Sequence, residues 1–252
     1  TVSGNVTVAA TAYVLASDVG ATDANIGSKS TITVTKHDST YYHSLQYSFG
    51  SLSGYITSSG GVQSTEAKFT NASVAFTVPT SFYSQIPNSK TGTCTITCRT
   101  YSSSSSTTVL GNPSTDTFTV TATGSPTVSG TIVDTDSTTI GLTGNSRVLV
   151  RYRSNAKCTL TATPNNSASI SSVRIRGEAV SGTTSGGVTT AEKTYTDTAH
   201  DTEYTFSATD SRGYTTTVSV SPTVVNYIQL TCNPIISRPS PTGSRIVMSI
   251  SG

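Results

Sequence analysis

The sequence contains no tryptophan and a single methionine, and only 11% of its 252 residues are charged. Its net charge of +2 creates no field strong enough to attract nucleic acid, an anionic membrane surface or a polyacidic substrate. No apolar run reaches the ~18 residues of a transmembrane helix, and no segment has the pattern of a signal peptide. These absences predict a protein with no nucleic-acid partner and no membrane insertion.

The residues that favour helices are also scarce, whereas threonine and serine make up more than a third of the chain. Threonine is β-branched and favours strands, so the composition predicts an all-β fold. An O-glycosylated stalk is the alternative for such a composition. Stalks are rich in proline and lack alternating Val, Ile, Tyr and Phe, whereas this chain has few prolines and many such alternations.

The chain has four cysteines: Cys94, Cys98, Cys158 and Cys232. Cys94 and Cys98 lie on one face of a predicted strand, about 13 Å apart at ~3.3 Å per residue, too far for a disulfide. We expect the cysteines to be small buried hydrophobes in a chain assembled in a reducing cytosol. The three histidines are scattered and complete no zinc site, so we predict no cofactor.

A hairpin at Tyr204 to Val220 organises the rest of the prediction, because two runs with a period of two flank the turn Asp210 to Gly213. Strands around a short helix at 80–86 follow the order of the E, F and G strands of an immunoglobulin domain. We therefore predict tandem immunoglobulin-like β-sandwiches at 1–124 and 125–223. Residues 224–252 would begin a further β domain or, alternatively, pair back onto the second one.

Several local expectations complete this interpretation. Residues 6–15 and 149–153 alternate as strands, and Ile140 with Leu142 indicates another strand. Residues 18–27 are expected to form a loop. Residues 182–190 contain Gly, Thr and Ser without an apolar anchor, so we expect an exposed, mobile loop there.

Two carboxylates, Asp134 and Asp136, stand at a predicted strand end near the linker. With backbone carbonyls they could collect Ca²⁺, which prefers six to eight oxygen ligands. The alternative is a turn in which the aspartates accept hydrogen bonds from nearby backbone groups.

Catalytic patterns are weak in this sequence. Its glutamates give no local pair of the kind that glycosidases use. No nucleophile-elbow sequence is present, and His43 shares a strand face with Leu45, Tyr47 and Phe49, as a histidine at the edge of a core does. We therefore expect a protein that is not an enzyme.

Two arginine pairs are candidates for surface binding: Arg151 with Arg153, and Arg174 with Arg176. They face outward if Tyr152 and the apolar neighbours of the second pair point inward. Such pairs could bind an anionic cell-wall polymer such as teichoic acid. Solvated strand faces, or charges that protect a sheet edge, are the alternative.

Four tyrosines near predicted turns could stack on sugar rings: Tyr41, Tyr55, Tyr101 and Tyr195. Tryptophan, the strongest aromatic residue for such platforms, is missing from the chain. The tyrosines therefore give only a weak indication of polysaccharide binding.

Residues 42–50, 78–92 and 208–214 carry a family resemblance. Through these segments the chain resembles siphophage minor structural proteins of Gram-positive hosts, and the resemblance covers nearly its whole length. That family has long been described as a domain of unknown function and is associated with the phage tail. The resemblance implies a virion component of the tail or its tip, in contact with other phage tail proteins and assembled as a homo-oligomer. It implies no catalytic residues.

Three functional hypotheses follow. The first is a structural tail protein that also adheres to host wall polysaccharide or teichoic acid. The second is a bacterial cell-surface adhesin built of immunoglobulin-like repeats. The third is a wall hydrolase whose catalytic domain lies outside these residues.

Overall fold

In a computed structural model of the chain, the structure describes residues 15–196 and 203–228. The predicted strand at 6–15 lies outside the described residues except for its last position, and so do most of the residues expected to begin a third β domain. The described residues form two β-sandwiches in tandem, each with its own apolar core. An all-β fold of immunoglobulin-like sandwiches is confirmed.

The first sandwich contains two sheets with strand orders β1-β3-β7 and β2-β9-β8-β4-β5-β6. A 3₁₀ helix, Thr80–Gln85, joins β7 to β8 and confirms the predicted helix near 80–86. The strands are β1 Asp18–Ala21, β2 Ala24–Asn25, β3 Lys29–Thr35, β4 Tyr42–Phe49, β5 Leu52–Ile56, β6 Val62–Gln63, β7 Ser73–Thr77, β8 Thr91–Tyr101 and β9 Leu110–Thr121.

Alternating sequence produces this arrangement, because side chains of a strand point to opposite faces with a period of two. In β3 every second residue is buried, and the buried set includes Ile32 and Val34. Pro79 precedes the 3₁₀ helix, which turns Phe82 fully into the core. There its ring stacks on Phe49 with ring centroids 4.3 Å apart.

The second sandwich has sheets of order β10-β12-β16-β15 and β14-β13-β17-β18, the ABED and C′CFG arrangement of an immunoglobulin fold. A two-stranded parallel sheet, β11-β19, lies at one end. The strands are β10 Thr127–Asp134, β11 Val148–Val150, β12 Ala156–Thr163, β13 Ile170–Ile175, β14 Glu178–Val180, β15 Gly182–Ser185, β16 Val188–Tyr195, β17 Tyr204–Asp210, β18 Thr215–Val220 and β19 Thr223–Val225.

The predicted hairpin at Tyr204 to Val220 is present as β17 and β18. Beyond it, Val224 pairs with Leu149 of β11 and packs against the second core. The second sandwich therefore extends to Val225, two residues past the predicted boundary at 223.

A helix forms where a strand was predicted. Helix α1, Ser137–Thr143, contains both Ile140 and Leu142. Asp136 caps its first turn, and Gly144 ends it at a φ of +67°, the left-handed conformation that glycine adopts without steric cost. The β-branched threonines of this segment favour strands, so the two caps outweigh the residue propensities.

The remaining local predictions also need correction. Residues 18–27, expected to form a loop, contain β1 and β2, which pair with β3 and β9. Of residues 149–153, Val150 ends β11 and a turn follows, with Tyr152 at a φ of +60° and 61% exposed. Residues 182–187 are exposed as predicted, whereas Thr189 is buried. The segment forms the β15–β16 hairpin, because Gly186 and Gly187 both take positive φ at its turn.

Candidate functional site: the junction between the two sandwiches

The turn between β17 and β18 reaches across to the first sandwich. Asp210 shapes this turn, because one of its carboxylate oxygens accepts the backbone N–H of Arg212 at 3.0 Å and of Tyr214 at 2.8 Å. Gly213 takes a φ of +83°, which a residue with a Cβ rarely adopts. The turn thereby presents Arg212 and its neighbours to the linker.

Arg212 is the central residue of the junction and is only 5% exposed. Its guanidinium donates to two carbonyl oxygens of the first sandwich, those of Ile86 at 3.0 Å and Tyr83 at 3.1 Å. It also donates to two carbonyl oxygens of the second, those of Asn165 at 3.3 Å and Asn166. A buried cation that uses its fixed fork of donors in this way joins three chain segments at one point.

The residues on either side of Arg212 extend the same contact. The Ser211 hydroxyl donates to the Pro87 carbonyl at 2.6 Å, and the Tyr214 hydroxyl donates to the Ala122 carbonyl at 2.8 Å. The ammonium of Lys90 lies 4.6 Å from the centre of the Tyr214 ring, within the range of a cation–π interaction. All of these contacts link the second sandwich to the first.

The turn after β12 fixes the linker itself. The side-chain amide of Asn166 donates to the Thr123 carbonyl at 2.7 Å, and that of Asn165 donates to the Ser125 carbonyl at 2.6 Å. Between these acceptors, Gly124 has a φ of +105°. Because the linker backbone is held by side chains, the two sandwiches are tied together on both sides of Gly124.

Sequence analysis identified the turn at Asp210 but not its function. The positive φ of Gly213 and the hydrogen bonds of Asp210 follow from the local sequence. The partners of Arg212 lie 46 to 129 residues away along the chain, so no local pattern indicates them. A single arginine in a turn whose surroundings are almost uncharged was the available signal.

The candidate calcium ligands lie at the opposite end of the second sandwich, beside α1. Asp134 is 3% exposed and accepts the hydroxyls of Thr139 at 2.5 Å and Ser154 at 2.6 Å, together with two backbone N–H groups. Although burial acts to raise the pKa of Asp134, these hydrogen bonds lower it below its usual value. Asp136 accepts the backbone N–H groups of Thr138 and Thr139 at the start of α1.

These partners match the alternative interpretation, a turn closed by aspartate hydrogen bonds. Across residues 15–196 and 203–228, no group of three or more His, Cys, Asp or Glu side chains is placed to hold a metal ion. The calcium site stays a prediction, and a cation there would have to displace the hydroxyl and backbone donors of Asp134.

The first arginine pair lies in the turn after β11. Tyr152 points to solvent and not inward, so the alternation assumed for this pair is wrong. Arg153 is exposed, and its guanidinium carbon lies 4.6 Å from the centre of the Tyr227 ring. Arg151 is half-buried, and its backbone N–H donates to the Val225 carbonyl at 2.9 Å.

The second arginine pair ends β13, where Val173 and Ile175 are buried as predicted. Arg174 is exposed and donates to the Gly177 carbonyl at 2.9 Å. Arg176 is half-buried, with its guanidinium carbon 4.7 Å from the centre of the Tyr195 ring. Arg174 is therefore the more accessible cation of this pair.

The four candidate tyrosines are not equally accessible. Tyr41, Tyr55 and Tyr195 are half-buried, and Tyr195 is covered on one side by Arg176. Tyr101 is only 3% exposed, so its assignment as a surface platform is wrong. The ammonium of Lys68 lies 4.3 Å from the centre of its ring, so this residue covers one side of it.

Tyr101 instead belongs to a polar cluster that sequence analysis missed. Its hydroxyl and that of Ser44 both donate to Glu66 at 2.6 Å, while the ammonium of Lys68 lies 3.7 Å from the other Glu66 oxygen. Burial acts to raise the pKa of Glu66, but the two hydroxyl donors and Lys68 lower it overall. Burial and the Glu66 hydrogen bond together raise the pKa of Tyr101 to about 12.

The described cysteines are buried free thiols, as predicted: Cys94, Cys98 and Cys158. Burial raises their pKa values to about 12, 12 and 11, so the reactive thiolate is scarce at neutral pH. Cys232 lies outside the described residues. No helix within residues 15–196 and 203–228 has the length and apolar character to cross a membrane.

Comparison with protein families identifies the chain. The family described as a siphovirus protein of unknown function (DUF859) matches residues 2–249. The chain belongs to this siphovirus family. The match confirms the resemblance at the level of a siphophage protein. No curated protein matches the chain.

Three solved structures share general similarity with the chain. A chimeric titin Z1Z2-Z1Z2 tandem carrying a GRGDS peptide from fibronectin is 10% identical, with 83% of this chain and 99% of that chain covered and a TM-score of 0.28. Dpr2 Ig1-Ig2 in complex with DIP-Theta Ig1-Ig3 is 12% identical, with 84% of this chain and 66% of that chain covered and a TM-score of 0.31. SGBP-B of the Bacteroides ovatus mixed-linkage glucan utilization locus, in complex with a mixed-linkage heptasaccharide, is 10% identical, with 81% of this chain and 42% of that chain covered and a TM-score of 0.24. The strand orders given above, and not these low scores, establish the fold.

Proposed function

We propose that this siphovirus protein is a non-enzymatic structural component of the phage tail. Its task would be to hold two β-sandwiches as one stiff unit that spaces other tail proteins or presents loops to the host. The observation that carries the proposal is the junction at Arg212, where a buried cation is bonded to carbonyls of both sandwiches. A spacer needs such a joint, since a flexible linker would neither fix the relative position of the two sandwiches nor transmit force between them.

A non-enzymatic role is consistent with the chemistry of the reactive groups. The three described thiols are buried with raised pKa values. Glu178 forms an ion pair with Lys193, and Glu192 forms one with Lys157. Asp134 and Glu66 accept hydroxyl donors. Each of these groups therefore has a structural explanation.

Adhesion to the host belongs to the same proposal. Arg153 and Arg174 present cations at the end of the second sandwich that lies away from the junction, and anionic wall polymers of Gram-positive hosts, such as teichoic acid, are the ligand class that these cations fit. Single contacts of this kind are weak. Several copies in one virion would raise their combined strength through effective concentration.

Localisation on purified phage particles tests the proposal. Gold-labelled antibody against this chain should mark the tail in electron micrographs, and cryo-electron microscopy should place two adjacent sandwiches in tail density. Label on the host cell surface, with none on the particles, would favour a bacterial adhesin with the same fold. Release of reducing sugar or amines from purified walls by the isolated chain would overturn the non-enzymatic assignment.

A further inference from the structure

Among residues 15–196 and 203–228, strand β15 is a sheet edge that no other segment covers. It lies at the end of the order β10-β12-β16-β15, and all four of its residues, Gly182–Ser185, are exposed. Proteins protect such edges with charges, prolines, bulges or covering segments. This strand contains no charge and no proline, and it pairs with β16 without a register shift.

The corresponding edge of the first sandwich is protected. Strand β7 ends its sheet, but the Thr77 N–H donates to the Gly60 carbonyl at 2.9 Å. Gly60 lies so close to β7 that a Cβ added to it would be 1.9 Å from the carbonyl oxygen of Ala75 in that strand. Residues 64–72 then follow β6, and from this segment Phe69 packs its ring edge-on to buried His43, with ring centroids 4.9 Å apart.

The described part of the second sandwich has no counterpart of this segment. Ser181 alone joins β14 to β15, so the gap between the two sheets stays open beside the edge. A cleft of about 370 Å³ remains there, lined by Val173, Val180 and Thr184 among others. Both the backbone edge and the adjacent space are therefore accessible from the same side.

The other long edges among the described strands are covered. Strand β18 lies against β10, and its Thr216 hydroxyl donates to the Pro126 carbonyl at 2.6 Å. Strand β1 is held by β9, where Asp116 accepts the Ala21 N–H at 2.7 Å. Strand β14 carries Glu178, and β6 has only two residues. Within the described part of the chain, β15 thus combines exposure, neutrality and regular pairing geometry.

We propose that β15 is a self-pairing surface, through which two copies of this chain join edge to edge about a twofold axis. A twofold axis normal to the sheet keeps each side chain on its own face, so residues that face each other must come from the same face of the strand. In the register centred on Thr183, this residue faces Thr183 of the second copy, and Gly182 faces Thr184 of the second copy. No like charges meet in this pairing, the chain as a whole carries only +2, and threonine pairs across strands are favourable. Two four-stranded sheets would become one sheet of eight strands with an isologous contact.

Four residues per strand bury much less than the ~1,200 Å² of a stable interface. The pairing is therefore weak in dilute solution and becomes effective where several copies are held close together. The expectation that several copies are held close together rests on the proposed role in a virion. A solution measurement nevertheless tests it separately from the location of the protein.

Sedimentation equilibrium of the full chain at increasing concentration is the direct test. The average mass should rise from the 26.0 kDa of one chain toward twice that value. Thr183→Lys places like charges across the twofold axis and should keep the protein monomeric. The matched control, Thr33→Lys, adds the same charge at an exposed position of a strand paired on both sides and should associate like the wild type.

Cysteine cross-linking sharpens the test, in a background with Cys232→Ser. Thr183→Cys chains should form a disulfide dimer on oxidation, because the twofold pairing places residue 183 opposite its own copy. Thr184→Cys chains should do so far less, because residue 184 then faces Gly182 of the second copy. A wild type that stays monomeric at its highest workable concentration would overturn the proposal. So would association of Thr183→Lys equal to that of the control, or equal cross-linking of the two cysteine variants.

Discussion

The two sandwiches share one architecture but have different interiors. The first core is rich in aromatic rings, with Phe82 stacked on Phe49 and tilted against Tyr47. The second core contains many small residues, among them Ala162 and Ala191. Large rings bury more apolar surface per residue, so the same fold can be stabilised by a few large contacts or by close approach of sheets with small side chains.

The largest expected effect comes from breaking the aromatic core. Phe82→Ala removes a fully buried ring and should lower the free energy of unfolding of the first sandwich by about 3–5 kcal/mol. Hydrogen exchange followed by mass spectrometry should show the loss in peptides of β4 and β8, with peptides of β12 and β16 less affected. Equal loss in both sandwiches would mean that they unfold as one cooperative unit.

Phe206→Ala is the matched variant in the second core, where Phe206 is also fully buried. An added Cβ at Gly130 would lie 2.3 Å from the Phe206 ring, so this ring packs directly onto backbone. Its loss should open peptides of β10 and β17 first. The pair of variants thereby separates the stability of one sandwich from that of the other.

Acid should distinguish the sandwiches by a different route. Burial, aided by the charge of Lys36, lowers the pKa of His43 from 6.5 to about 4. The unfolded chain therefore binds a proton at this histidine below about pH 6.5, whereas the folded chain does so only near pH 4. Stability is complete above pH 6.5 and falls as the pH drops toward 4, by about 3 kcal/mol.

In the second sandwich the lowered pKa of Asp134 acts at more acidic pH. Its contribution is present above the ordinary value of 3.8 and is lost below it, as the carboxylate takes up a proton. Hydrogen exchange between pH 7 and pH 4 should therefore report loosening of the first sandwich first. His43→Leu should remove that early loss, while His37→Leu, at a partly exposed site, should leave it unchanged. Simultaneous loosening of both sandwiches would contradict this order.

The elements with a local signal were predictable from the sequence. The alternation of β3, the turn at Asp210 and the 3₁₀ helix after Pro79 each follow from neighbouring residues. The caps of α1 were also present, as Asp136 and Gly144, but the threonines between them favour strands. The local signals of that segment conflict, and the two caps outweigh the strand propensity of the threonines.

The candidate sites were less predictable because they depend on contacts distant in sequence. Tyr101 was predicted near a turn at the surface, yet Glu66 and Lys68 pack against it and it is buried. Arg153 and Arg174 are both exposed, but the alternation assumed for the first pair is wrong, because Tyr152 lies in a turn with a positive φ and faces solvent. Arg212 was missed altogether, since its acceptors are backbone carbonyls, which every residue has.

The smallest expected effect on stability, and the most informative one for the comparison, comes from the junction. Arg212→Ala removes a charged donor that bonds to four carbonyls and should lower the free energy of unfolding by about 2 kcal/mol. Because the loss falls between the sandwiches, their cores should stay intact while their coupling weakens. Small-angle X-ray scattering should then show a broader distribution of end-to-end distances than in the wild type.

Arg212→Lys refines this prediction, because lysine keeps the charge but loses the planar fork that reaches carbonyls on both sides. If geometry holds the junction, Arg212→Lys should resemble Arg212→Ala in scattering. If charge alone were sufficient, it would resemble the wild type. The matched control is Arg174→Lys, at an exposed position of the same sandwich, which should change neither scattering nor stability. A wild-type distribution for both Arg212 variants would show that the sandwiches are held by other contacts, such as those of Asn165 and Asn166 with the linker.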